Sequence, residues 1–175
     1  MIVREQNKAA SLEFLARVRL GRLACARSNQ PYVVPFYFAC HDRHLYSFST
    51  VGQKIAWMRA NPLVCVEADE VKGPDDWISV VVSGRYQELP DTPEFRGTLE
   101  LAHHLLSQNA RWWEPGYTRT ILHDNERPMA PLFFRIHIDQ MTGHRAVAET
   151  VAPAQGQRAR GRTEWFRKIL RELGG

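Results

Sequence analysis

Residues 45–62, LYSFSTVGQKIAWMRANP, set the organisation of this chain. Leu45-Tyr46-Ser47-Phe48 reads as the end of a strand, and Ser49-Thr50-Val51-Gly52-Gln53-Lys54 as a polar turn. Ile55 to Ala60 reads as a short helix that Asn61-Pro62 stops, because the residue before a proline is pushed out of the α region. A strand that feeds a helix through a Ser/Thr/Gly turn with one lysine at its mouth is a candidate anion site. Hydroxyls, free backbone N–H groups and the positive end of the helix dipole converge there. An ordinary connection with a solvated lysine gives the same spacing, so spacing alone does not separate the two.

Working outward, residues 11–20 (SLEFLARVRL) place Leu12, Leu15, Ala16 and Arg19 along one helical face, with Ser11 as N-cap and Gly21 as C-cap. Strands are expected at 22–27, at 32–40 (YVVPFYFAC) and at 44–48, with Ser28–Pro31 and Asp42-Arg43 as turns. Pro35 lacks a ladder donor, which predicts an edge, a bulge or a ligand at that point. Further strands are expected at 63–68, 77–87 and 132–141. In the last, Phe134, Ile136 and Ile138 alternate with Phe133, Arg135, His137 and Asp139. The unbroken Val80-Val81-Val82 run predicts burial on both faces, and Gly84 a bulge or a close backbone approach. Residues 92–108 pattern as a helix, and a final helix from Thr163 carries Trp165, Phe166, Ile169 and Leu173. Six strands at hairpin spacing with helices around them predict a mainly β fold, a small antiparallel barrel with peripheral helices. The expected division is a barrel domain over residues 1–150 and a basic linker with an amphipathic helix over 151–175.

The chain has 175 residues and a formal net charge of +4, and its basic excess is concentrated in Arg158, Arg160, Arg162, Arg167, Lys168 and Arg171. Such a patch fits an anionic ligand or the acidic face of a partner as well as nucleic acid, and the apolar residues of the final helix favour packing. No run reaches the length of a membrane span, and the first ten residues are polar and charged. Cys25, Cys40 and Cys65 lie in separate apolar runs without paired spacing, the pattern of reduced thiols in a cytoplasmic protein. No histidine pair has zinc-enzyme spacing, and the serine-hydrolase elbow, the dinucleotide fingerprint and the P-loop are absent. Trp112, Trp113 and Tyr117 are candidates for a substrate pocket or, more simply, for packing.

The order of G-R-L-A at Gly21, V-P-F-Y at Val34, the G-Q-K turn before a helix ending in N-P, and V-S-G-R after a valine strand resembles the pyridoxamine 5'-phosphate oxidase-related flavoproteins, and more narrowly their small nitroimidazole-reductase-like branch. The resemblance covers roughly residues 8 to 140, by pattern more than by any one motif. It implies an antiparallel split β-barrel that binds FMN at a homodimer interface. The backbone of Val33, Val34, Pro35 and Phe36 would then lie along the isoalloxazine ring. Ser47 and Phe48 would touch it at the strand end, Ser49 and Thr50 would belong to the turn, and Gln53 and Lys54 would meet the phosphate. Ser79 would take the place near the ring from which oxidase members present a glutamine. Two positions depart from the family pattern: neutral Gln53 replaces the first of a basic pair, and Phe48 stands where nitroimidazole-reductase-like members often have histidine. No segment matches the pyridoxal-phosphate-binding end of the true oxidases. The implied function is an FMN-dependent oxidoreductase acting on a small molecule with NAD(P)H as a candidate donor. A non-catalytic flavin-binding or sensing module, and a split barrel that uses haem or deazaflavin, are the alternatives. Neither a membrane nor nucleic acid is expected as partner.

Overall fold

Val80 and Val82 are fully buried, but Val81 between them is 38% exposed. The valine run therefore alternates as one wall of a barrel does, with a single face inward, and the expectation of burial on both faces is corrected. The computed structural model of the chain describes residues 1–108, 120–122, 125–127 and 131–148. The basic segment from 151 onward, the helix expected from Thr163, and Trp112, Trp113 and Tyr117 lie outside the described residues.

The described elements are β1 (Ile2–Gln6), α1 (Lys8–Arg17), β2 (Leu20–Arg27), β3 (Gln30–Tyr37), β4 (Ala39–His41), β5 (His44–Ser49), α2 (Gln53–Ala60), β6 (Leu63–Gly73), β7 (Asp76–Glu88), α3 (Arg96–Ser107), β8 (Thr120–Leu122), β9 (Asn125–Arg127) and β10 (Leu132–Val147). One eight-stranded sheet runs in the order β3-β2-β6-β7-β10-β5-β4, with β1 pairing β10, and β8 with β9 form a separate ribbon. All the ladders are antiparallel. The two ends of this path, β3 and β4, are consecutive pieces of chain joined at Phe38, so the sheet curls back on itself into a split barrel.

The six expected strands are the barrel wall itself: β2, the β3–β4 pair counted as one, β5, β6, β7 and β10. The count rises to eight because the strand expected at 32–40 changes partner at Phe38 and because β1 was not expected. β1 covers the second half of β10, from Gly143 to Val147, opposite Gln6 to Ile2. Both two-residue turns follow their sequence chemistry. Ser28 and Asn29, and Asp42 and Arg43, have positive φ, which is the hairpin geometry whose twist matches its strands.

Phe38, Leu23, Leu45, Ile55, Met58, Val66, Phe134, Ile136 and Ile138 are all fully buried in the barrel interior, with Phe36 beside them. The first helix begins earlier than expected. Asn7 is its N-cap, accepting from the Ala10 N–H at 2.9 Å, and Ser11 is buried within it. Asn7 captures the role because its side chain reaches the first-turn amide, and Gly21 belongs to β2 instead of ending the helix. Pro35 stands on β3, which has a ladder partner on one side only, as the edge reading requires. Among the described residues, no helix is long and apolar enough to cross a membrane.

Gly84 is the tightest backbone approach in the wall. A Cβ there would collide with the His137 carbonyl oxygen and with Ile136, next to the point where β10 slips register between Ile138 and Gln140. Gly84→Ala is expected to destabilise the fold by about 1–3 kcal/mol or more, read as a lower urea midpoint at unchanged slope.

Candidate functional site

α2 begins at Gln53, two residues before the expected start, so Gln53 and Lys54 belong to its first turn. The first intrahelical bond runs from the Ala56 N–H to the Gly52 carbonyl at 3.0 Å. The N–H groups of residues 53–55 therefore have no acceptor within the helix. Gly52 supplies no side-chain cap, and no acidic residue lies in the first turn. A Cβ built on Gly52 would meet no atom of the described residues within 4 Å.

Lys54 stands in this mouth, half-buried. Burial draws its ammonium below the ordinary lysine pKa, and the neighbouring Cys25 pulls weakly the other way. Cys25 is the complement: burial raises its thiol, and Lys54 lowers it. No carboxylate among the described residues pairs with Lys54. A partly desolvated cation without a counter-ion, beside free amides and a helix N-terminus, is an arrangement that an anion completes. Cys25 lies opposite Tyr32 in the β2–β3 ladder, and the Tyr32 ring packs on Trp57 of α2 at 5.5 Å. The mouth of α2 therefore opens beside the start of β3.

At the other end of β3 the Ser47 Oγ donates to the Tyr37 carbonyl at 2.6 Å. Tyr32 and Tyr37 are five residues apart, so the site runs along β3 for about 16 Å. Along it, Val33 is 58% exposed, Pro35 is exposed, Val34 is half-buried, and Phe36 is buried in the core. The side chains expected at the strand end point elsewhere. Ser47 is buried and bonded to Tyr37, and Phe48 packs with Ala39 and Leu106 under α3, its ring 5.9 Å from that of Phe133. Ser49 Oγ donates to the Thr50 carbonyl at 3.0 Å, while Thr50 and Gln53 are exposed. Phe48 and Ser47 can thus offer a ligand backbone only.

Ser79 is not brought to this site within one chain. The ladder row Val33–Ala24–Cys65–Ser83 puts Ser83 level with β3, three strands away, and Ser79 four residues further along β7. That is roughly 20 Å along the sheet. Ser79 Oγ donates instead to Glu67 at 3.1 Å. A groove of about 460 Å³ lies on the outer face of the wall, lined mostly by small or apolar side chains such as Ala24, Pro31, Leu63 and Cys65, with Asn61 and Asp139 among them. Burial pushes the Cys40 thiol up to about 11 and raises that of Cys65, so neither is a poised nucleophile. Among the described residues, no group of three or more His, Cys, Asp and Glu could hold a metal ion.

Sequence reasoning missed the residues that hold α2 in place. Arg59 forks onto Glu88 of β7, Nε to Oε1 at 2.5 Å and Nη2 to Oε2 at 3.0 Å. The buried Tyr86 hydroxyl donates to Glu88 Oε1 at 2.9 Å, and the Tyr86 N–H donates to the Pro62 carbonyl at 2.9 Å. Asn61 Nδ2 donates to the Ala26 carbonyl at 3.0 Å. The only local signal was Asn61-Pro62. The partners of Arg59 and Asn61 lie 29 and 35 residues away in sequence.

A barrel wall closed by a strand that changes partner, with a two-turn helix opening its uncapped end beside that strand, defines a split barrel of the pyridoxamine-oxidase type. The profile of the pyridoxamine 5'-phosphate oxidase family matches residues 7–145, and the chain belongs to that family. An uncharacterised protein of Rhizobium meliloti strain 1021 is 41% identical over 148 residues, which span 85% of this chain and 98% of the relative. The crystal structure of an FAD-binding protein from Mesorhizobium loti is similar at 45% identity and a TM-score of 0.70, over 83% of this chain and 99% of that one. A proposed 5-nitroimidazole antibiotic resistance protein of Bacteroides thetaiotaomicron shares the fold at 19% identity and a TM-score of 0.57, over 82% and 89% of the two chains.

The fork from Arg59, with the Tyr86 hydroxyl, holds the Glu88 carboxyl below the ordinary carboxylate range. A carboxyl depressed in the folded state stabilises above its unfolded pKa, and that contribution is lost as pH falls through the folded value. Glu88→Gln should therefore be less stable than wild type at pH 7, and the gap should shrink below about pH 4. Urea midpoints at pH 7 and pH 3 check this, and an equal gap at both would contradict it.

Proposed function

We propose that this protein is an FMN-binding flavoprotein that works as an oxidoreductase, with the phosphate of the cofactor at the mouth of α2. The half-buried Lys54 ammonium, with no acidic partner among the described residues and set at an uncapped helix N-terminus, carries the reading. Lys54 would neutralise the phosphate, and the N–H groups of residues 53–55 would donate to it. Gln53 and Thr50 would add neutral donors at the rim. The backbone of Val33, Val34, Pro35 and Phe36, on the open edge of β3, would border the ring, with the backbone of Ser47 and Phe48 at its far end. The roughly 16 Å run between these ends suits an extended ring and ribityl chain. Flavin bound there would supply the redox chemistry, and the chain would supply orientation and the exclusion of water.

A second copy of the chain is part of this reading. The groove, mostly of small or apolar side chains and including exposed Leu63, with Val33 also exposed on the neighbouring strand, is a surface that a partner barrel can cover. In a homodimer Ser79 would reach the ring from the partner's side, since it cannot do so from its own. A small-molecule substrate, NAD(P)H as donor and a cytoplasmic location complete the proposal, the last supported by three free thiols. The FAD-binding relative from Mesorhizobium loti favours a second reading, in which the same phosphate belongs to FAD. Chromatography of flavin released from the purified protein separates the two.

Lys54→Ala should weaken FMN binding by roughly 1.5–3 kcal/mol, measured by quenching of flavin fluorescence. Unchanged affinity would remove Lys54 from the site.

A further inference from the structure

α2 is eight residues long, carries no cap at its functional end, and meets the barrel in two different ways. Ile55 and Met58 are buried in the core, and Trp57 packs on Tyr32. Such apolar contacts hold a helix down but are not directional, and a two-turn helix can roll or slide on them. The polar contacts are directional and gather at the other end, around Glu88. That carboxylate receives three donors, Arg59 Nε, Arg59 Nη2 and the Tyr86 hydroxyl. Two of them form a planar fork, which fixes both the rotation and the axial position of Arg59. Tyr86 is itself anchored, its ring 5.3 Å from that of Phe134 and its N–H on the Pro62 carbonyl. Lys54 is five residues before Arg59 on the same rigid rod, about 7.5 Å along the axis.

We propose that Glu88, with Arg59 and Tyr86, is a positioning group for the anion site. By fixing the C-terminal end of α2 it sets where Lys54 and the free amides of residues 53–55 stand. Glu88 does not touch the ligand, and its effect reaches the ligand only through the helix. The inference rests on the reading of the α2 mouth as a phosphate site, and it assigns a function to residues on β7 that no local motif marks.

Riboflavin and FMN differ only by the phosphate, so the ratio of their affinities isolates the helix mouth from the rest of the pocket. Both are titrated into wild type, Lys54→Ala and Glu88→Gln, with thermal midpoints recorded alongside. Glu88→Gln is expected to lower FMN affinity about tenfold while riboflavin affinity stays within about twofold. A variant that keeps the wild-type ratio would overturn the proposal. Equal loss of both ligands would also overturn it, because that is general destabilisation. If wild type itself shows no preference for FMN, or Lys54→Ala keeps the preference, the phosphate reading fails instead. Should Glu88→Gln not fold, Arg59→Lys decides the matter. It retains the charge at an exposed position but loses the fork, and it should lower the ratio in the same direction.

Discussion

The wall of this barrel depends on one strand changing partner. Up to Tyr37 the chain pairs with β2, and from Ala39 it pairs with β5. Between them Phe38 turns its side chain fully into the core and gives its N–H to the Arg19 carbonyl at 2.9 Å. That switch joins the two ends of the sheet and encloses the apolar faces of β2, β6, β7 and β10. It also leaves β3 with one free edge, and every candidate ligand contact of β3 follows from that edge being open.

α2 closes the end of the barrel next to this edge. Its burial of Ile55 and Met58 is core packing, but the same insertion carries Lys54 partly out of water beside Cys25. The candidate site is therefore a by-product of how the barrel is plugged. A helix sealing an apolar interior must start somewhere, and here its uncapped start opens onto the free edge. The Arg59–Glu88 fork at the opposite end keeps the plug oriented.

Much of the wall was legible because strand periodicity is a local property. The alternation of Phe134, Ile136 and Ile138 and the turn residues at Ser28-Asn29 and Asp42-Arg43 needed no tertiary knowledge. What could not be read is set by pairing. β1 is polar and exposed, and only its ladder with the second half of β10 makes it a strand. Val81 looked buried because a run of valines carries no sign of which face meets water. The helix start that carries Lys54 was legible in outline, since Ser/Thr/Gly before Lys54 is turn chemistry at such a start. The direction of Phe48, which lies under α3, and the remoteness of Ser79 were not. Both depend on which strand stands next to which, and residue spacing holds no record of it.

On the proposed reading the phosphate of a flavin rests at the mouth of α2. A crystal structure of the protein grown with FMN tests it most directly. Phosphate oxygens are expected within hydrogen-bond reach of Lys54 Nζ and of the amides of residues 53–55, with the ring along the free edge of β3. A phosphate bound elsewhere on the barrel, with Lys54 facing solvent, would contradict it.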